Sequence, residues 1–145
     1  RTRCPPTPEL RARHETALRA FLAALASKDS VALETLLAES VRTVTDSAGE
    51  YAALATPMIG RDRVARFYLQ AASNRAAGRP SVAIRVLNGW PAAIITLEQP
   101  VRRQAPVTVM AVSLNGDGQI ETIRTVMAHR KLAGLRGDAA EASCD

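Results

Sequence analysis

Between Pro8 and Ser27 the positions Leu10, Leu18, Phe21, Leu22 and Leu25 recur at three- and four-residue steps, with His14 on the same face. That spacing makes one apolar stripe on an α-helix and predicts a helix ending near Ser27. Thr7 is suited to cap its start, and Pro8 to the first helical position, where a missing N–H costs nothing. A second, short helix is predicted from Asp29 or Ser30, burying Val31, Leu33, Leu36 and Leu37. The period then changes to two. Val41, Thr43 and Thr45 alternate with Arg42 and Val44, which predicts a short strand. From Asp46 to Ile59 runs a long connection containing Gly49 and Pro57, and long connections in compact domains often carry function. A third helix is predicted over about Arg61 to Asn74, with Val64, Phe67, Tyr68 and Ala71 on one face and Gly78 and Pro80 as its stop.

The rest of the chain alternates. Val82, Ile84 and Val86 interleave with Ala83, Arg85 and Leu87, and Asn88-Gly89 is a strong tight-turn signal. Ala92 to Leu97 forms the returning strand, and Val107 to Leu114 follows a connection over 100–105. Asn115-Gly116-Asp117-Gly118 then turns the chain into Ile120 to Met127. Helices followed by a meander predict an α+β layer, with a curved, mostly antiparallel sheet wrapped on the long helix. Residues 1–6 read as a linker because Pro5, Pro6 and Pro8 resist regular structure. The domain is expected over 7–135 and a tail over 136–145. Arg1 stands where an initiator Met would, so a longer parent chain is expected.

At 145 residues the chain is one domain's worth, and 47% hydrophobic residues are enough for a single core. No apolar run approaches the roughly 20 residues that span a bilayer, and no signal peptide is visible. The net charge of +5 admits attraction to nucleic acid or to an acidic protein face. The basic residues are scattered, however, and aromatics are 3%, too few for a base-stacking platform. An Ala- and Arg-rich composition also reflects a GC-rich genome, and that is the reading adopted. Cys4 and Cys144 lie in the two tails, fit no metal or redox spacing and read as free thiols. No metal site and no cofactor are expected.

The order of parts from Thr43 to Leu69, an acid at a strand end followed by a glycine-led helix, resembles the cone-shaped fold of SnoaL-like cyclases, ketosteroid isomerases and nuclear transport factor 2. More narrowly, it resembles the SnoaL-like C-terminal domain of one group of extracytoplasmic-function sigma factors. The run Pro57-Met58-Ile59-Gly60-Arg61-Asp62-Arg63-Val64-Ala65-Arg66-Phe67 is similar to that group's P-x-x-G-x-x-x-V-A-R-F pattern. Asn88-Gly89-Trp90-Pro91-Ala92 is similar to its N-G-x-P-A turn. Its DGGGK-type motif reads here Asp46-Ser47-Ala48-Gly49-Glu50, with the charge of the last position reversed, and of its NPDKL-type motif only Lys131-Leu132 remains, after His129 and Arg130.

The resemblance implies a non-catalytic, cytoplasmic regulatory domain that modulates transcription initiation by contacting the preceding sigma domains. RNA polymerase core would be reached through those domains, and DNA only through the parent protein. No membrane is implied, and an isolated domain could form a homodimer. Asp46, Gly49, Glu50, His129, Lys131 and Leu132 are the implied interdomain contacts. The alternative is a free-standing SnoaL- or ketosteroid-isomerase-like enzyme or binding protein with Asp46 in its pocket. Such isomerases require a carboxylate base together with a tyrosine and a protonated aspartic acid for the developing oxyanion. Asp46 matches the base, but the donor positions fall at Phe21 and about Met110, and neither side chain can donate. A mostly apolar pocket bordered by Phe21, Phe67 and Met110, with Asp46 near its rim, is expected under either reading. Trp90 is left as hairpin anchor or exposed contact, and Tyr51 as a closure for the open end.

Overall fold

The computed structural model describes residues 7–46, 57–76, 80–87, 89–99 and 107–128, without the side chains of residues 46, 75 and 128. Helix α1 spans Pro8–Ser27, and the Thr7 hydroxyl accepts the Leu10 N–H at 3.1 Å to start it. Its buried face is His14, Ala17, Leu18, Phe21, Ala24 and Leu25, close to the stripe read from the sequence. Lys28 ends it in a left-handed conformation (φ 57°), giving its N–H to the carbonyls of Ala24 and Leu25. Helix α2, Ser30–Leu36, is capped by Asp29, whose carboxylate accepts the Ala32 N–H at 3.1 Å.

Strand β1 covers Leu37–Asp46, starting four residues earlier than the alternation suggested. Leu37 therefore belongs to the strand and not to the preceding helix. Leu33 is fully buried, whereas Val31 is 72% exposed, contrary to expectation. Two residues from Leu33, Val31 lies about 200° round a helix of 3.6 residues per turn, so both cannot face one core.

Strand β2, Met58–Ile59, pairs antiparallel with β1. Gly60 then turns the chain into α3, Arg61–Arg75. Its φ of +116° is a conformation that side-chain-bearing residues rarely adopt, and its N–H reaches the Val41 carbonyl at 2.8 Å. Strands β3 (Pro80–Leu87), β4 (Trp90–Leu97), β5 (Val107–Leu114) and β6 (Ile120–Ala128) form the meander. The β5–β6 turn is held by Asn115, whose side-chain oxygen accepts the N–H groups of Asp117 and Gln119. Gly118 completes it at φ +81°.

Among the described residues, six strands form one sheet in the order β2-β1-β6-β5-β4-β3. All pairings are antiparallel except β1 with β6, which is parallel. Three described helices pack on this curved mixed sheet. Pro91 lies beyond the β4–β5 ladder, which runs from Ala93 to Thr96, so its missing N–H costs no bond there. The core is closed by Leu18, Phe21, Leu33, Val41, Ile120 and Ile123, all fully buried.

His14 is more enclosed than an edge residue. It is 7% exposed, and its Nδ1 lies 3.0 Å from the Leu10 carbonyl. A carbonyl can only accept, so Nδ1 carries the proton of that bond. The Trp90 ring packs on the imidazole with centroids 4.6 Å apart. Trp90 thus ties the β3–β4 hairpin to α1, the first of the two roles considered for it.

Candidate functional site

Helices α1 and α3 both run from the closed end of the molecule toward an open one, where their small residues leave space. The result is a cavity of about 550 Å³ between the C-terminal turns of the two helices and the sheet. Leu22 and Leu25 of α1 and Phe67, Ala71 and Ala72 of α3 form its helical wall. On the sheet side lie Met110, Ile95, Val82 and Met127, interrupted by the hydroxyls of Thr45, Thr108 and Thr125. The floor is polar because strand register collects these threonines. Thr45 and Thr125 are direct partners in the parallel β1–β6 ladder, and the Thr125 hydroxyl donates to that of Thr45 at 3.0 Å.

Tyr68 separates this cavity from the closed core. It lines the cavity while only 6% exposed, and its ring meets Phe21 and Phe67 edge-on, with centroids 5.4 and 5.0 Å away. Its hydroxyl shares a hydrogen bond with the fully buried Thr43 hydroxyl. Such a pair satisfies two polar groups that would each cost about 1–3 kcal/mol if buried alone. The described lining residues include neither a carboxylate nor an imidazole. Their polar groups are hydroxyls, the amides of Gln70 and Asn74, and the ammonium of Lys28.

Of the expected pocket residues, Phe67 and Met110 line the cavity. Phe21 stands one layer behind, fully buried against the Tyr68 ring. Asp46 is the last residue of β1, next to the lining Thr45 and paired with Val126 of β6. Gly49, Glu50, Tyr51, His129, Lys131, Leu132, Cys4 and Cys144 lie outside the described residues. Sequence reading missed Lys28, Tyr68 and the three floor threonines as site residues. The i, i+2 spacing of Thr43 and Thr45 did signal a shared face, but which face meets the helices follows from pairing with β6. Among the described residues, no group of three or more His, Cys, Asp or Glu side chains gathers to hold a metal ion. No described helix is long and apolar enough to cross a membrane.

A curved sheet holding an apolar cavity under three helices is the architecture of the SnoaL-like, nuclear transport factor 2-like class. Among solved structures, the chain is similar to the extracytoplasmic-function sigma factor SigJ of Mycobacterium tuberculosis, with 21% identity over 80% of this chain and a TM-score of 0.65. It spans 42% of that sigma factor's chain. It is also similar to a steroid delta-isomerase from Pseudomonas aeruginosa (15% identity, 90% of this chain and 88% of that one, TM-score 0.58). A de novo designed protein with a curved β-sheet matches as well as the isomerase (16% identity, 81% and 87%, TM-score 0.58). No family model and no curated protein matches the chain. A sigma factor, an isomerase and a design on one scaffold leave the function to be argued from the site.

Proposed function

We propose that the chain is a regulatory domain of a bacterial extracytoplasmic-function sigma factor and works without catalytic turnover, through contacts with the sigma domains that precede it. One observation carries this reading. The parallel pairing of β1 with β6, in register Asp46 with Val126, makes both strands leave the sheet at the same end. The described ends of β1 and β6, from which the segments resembling the family's motifs (46–50 and 129–132) continue, therefore lie at the same end of the sheet, which supports reading them as parts of one contact surface. The glycine-led P-x-x-G-x-x-x-V-A-R-F stretch adds support, forming β2, the Gly60 turn and the first turns of α3. By the resemblance, the positions of the isomerase oxyanion donors fall at Phe21 and about Met110, whose side chains have no proton to give.

The first test is the reading frame upstream of Arg1. Two helical sigma regions encoded there support the proposal, and a start codon at that point opposes it. Expressed separately, those regions should bind the domain. Glu50→Lys should weaken the complex at low salt and less so at high salt, because exposed charges are screened over roughly 10 Å at 0.1 M. An unchanged affinity would remove Glu50 from the contact.

A second reading, an isomerase-like enzyme with Asp46 as base, draws support from Tyr68, a hydroxyl-bearing residue of the cavity wall, and from Thr45, the neighbour of Asp46, on its floor. A steroid isomerisation rate that is lost in Asp46→Asn would establish it in place of the first.

A further inference from the structure

The cavity has a charge pattern that neither reading uses. Its inner wall is mostly apolar, and on its floor the Thr125 hydroxyl donates to that of Thr45. Lys28 is the one charged side chain among the described lining residues, and it is exposed, so it stands at the rim. The usual local reasons for a lysine to be neutralised there do not apply. Asp29, its neighbour in sequence, holds its carboxylate on the Ala32 N–H as the cap of α2. Of the carbonyls near the C-terminus of α1, which would repel an anion, three are engaged. The Ala24 carbonyl takes the Asp29 N–H, that of Leu25 takes the Lys28 N–H, and Ser27 donates its hydroxyl to that of Ala23.

A cavity of about 550 Å³ falls within the roughly 300–1,000 Å³ of small-molecule sites. We infer that it binds a free single-chain carboxylic acid, with the alkyl chain on Phe67, Ala71 and Met110 and the carboxylate at Lys28. The apolar wall supplies affinity through the area it removes from water. The lysine supplies orientation, since a chain inserted head-first would place its anion among neutral hydroxyls and away from Lys28, the one described cation of the lining. This inference rests on the cavity alone and stands apart from the sigma-factor proposal.

Calorimetric titration of the purified chain with decanoate and with 1-decanol tests it. Decanoate should bind more tightly, by roughly fivefold, the scale of one partly exposed ion pair. Lys28→Gln keeps the side-chain stem and faces the same left-handed backbone, so it should remove the preference for the acid while leaving decanol unchanged. Ala71→Phe should abolish binding of both ligands while the protein keeps its far-ultraviolet circular dichroism. If Ala71→Phe does not fold, the comparison of the two ligands in wild type and Lys28→Gln still decides. Equal affinities for acid and alcohol, an equal loss for both in Lys28→Gln, or binding of phosphatidylglycerol vesicles but not of decanoate would each overturn it. A protein that binds decanoate yet ignores its sigma regions would sustain this inference and sink the functional proposal.

Discussion

The two ends of this molecule are built from the same strands and helices but packed to opposite purposes. At the closed end, the first halves of β1 and β6 contribute Leu37, Val41, Ile120 and Ile123, and α1, α2 and α3 add Leu18, Leu33 and Val64, all fully buried. At the open end the same elements carry Thr45, Thr125, Ala71 and Ala72, and a cavity remains. Tyr68 is the boundary, packed against Phe21 on one side and open to the cavity on the other. Backbone order is therefore set by one half of each element, leaving the other half free to vary in volume and chemistry.

Substitutions that delete volume should distinguish the ends most strongly. Phe21→Ala, in the closed core, should cost about 3–5 kcal/mol in urea unfolding. Met110→Ala, on the cavity wall, should cost clearly less, because the neighbouring space already lacks packing atoms. Equal losses would mean that the cavity is as tightly packed as the core.

Adding volume sharpens the contrast within a single helix. Ala65 is 3% exposed and lies in the packed part of α3, whereas Ala71 faces the cavity six residues later. Ala65→Leu should destabilise by about 1–3 kcal/mol through overpacking. Ala71→Leu should stay within about 1 kcal/mol of wild type in the same experiment, since its new methylenes enter empty space.

The boundary itself is open to a double-mutant cycle. Tyr68→Phe and Thr43→Val should each cost about 1–2 kcal/mol, because each leaves a partner hydroxyl in a buried site. The double variant should cost little more than either single one, and strictly additive losses would show that the hydroxyl pair has no energetic coupling. Smallest of all is the surface control. Arg19 and Glu15 pair at 2.8 Å one turn apart on α1, with both side chains exposed. Arg19→Ala should therefore change stability by only about 0.3–0.5 kcal/mol, an effect reduced by salt.

Much of the fold was legible along the chain. Thr7-Pro8 and the leucine stripe define α1, Asn115 through Gly118 define a turn, and the change from a period of 3.6 to a period of two marks where helix gives way to strand. Those features are local, since each depends on side chains within a few positions of one another. Leu37 was misplaced because an apolar run at a helix–strand junction fits both periods. Val31 was misplaced because a helix of two turns offers too few positions to fix its buried face.

The site was less legible. Phe67 and Met110 were recognisable as apolar positions on elements expected to face each other. Tyr68 was recognised as apolar-face packing, but its hydroxyl finds Thr43 across 25 positions of sequence. Thr125 finds Thr45 across 80, through a parallel register that no local pattern encodes. The sequence alone set the elements, their caps and the volumes they carry, because these follow from neighbours a turn or a strand pair apart. Only the tertiary structure decided which faces meet, and thereby that alanines and threonines gather at one end as a cavity with a lysine at its rim. Long-range strand pairing turns positions far apart in the chain into neighbours, and the chemistry of the cavity is the chemistry of those neighbours.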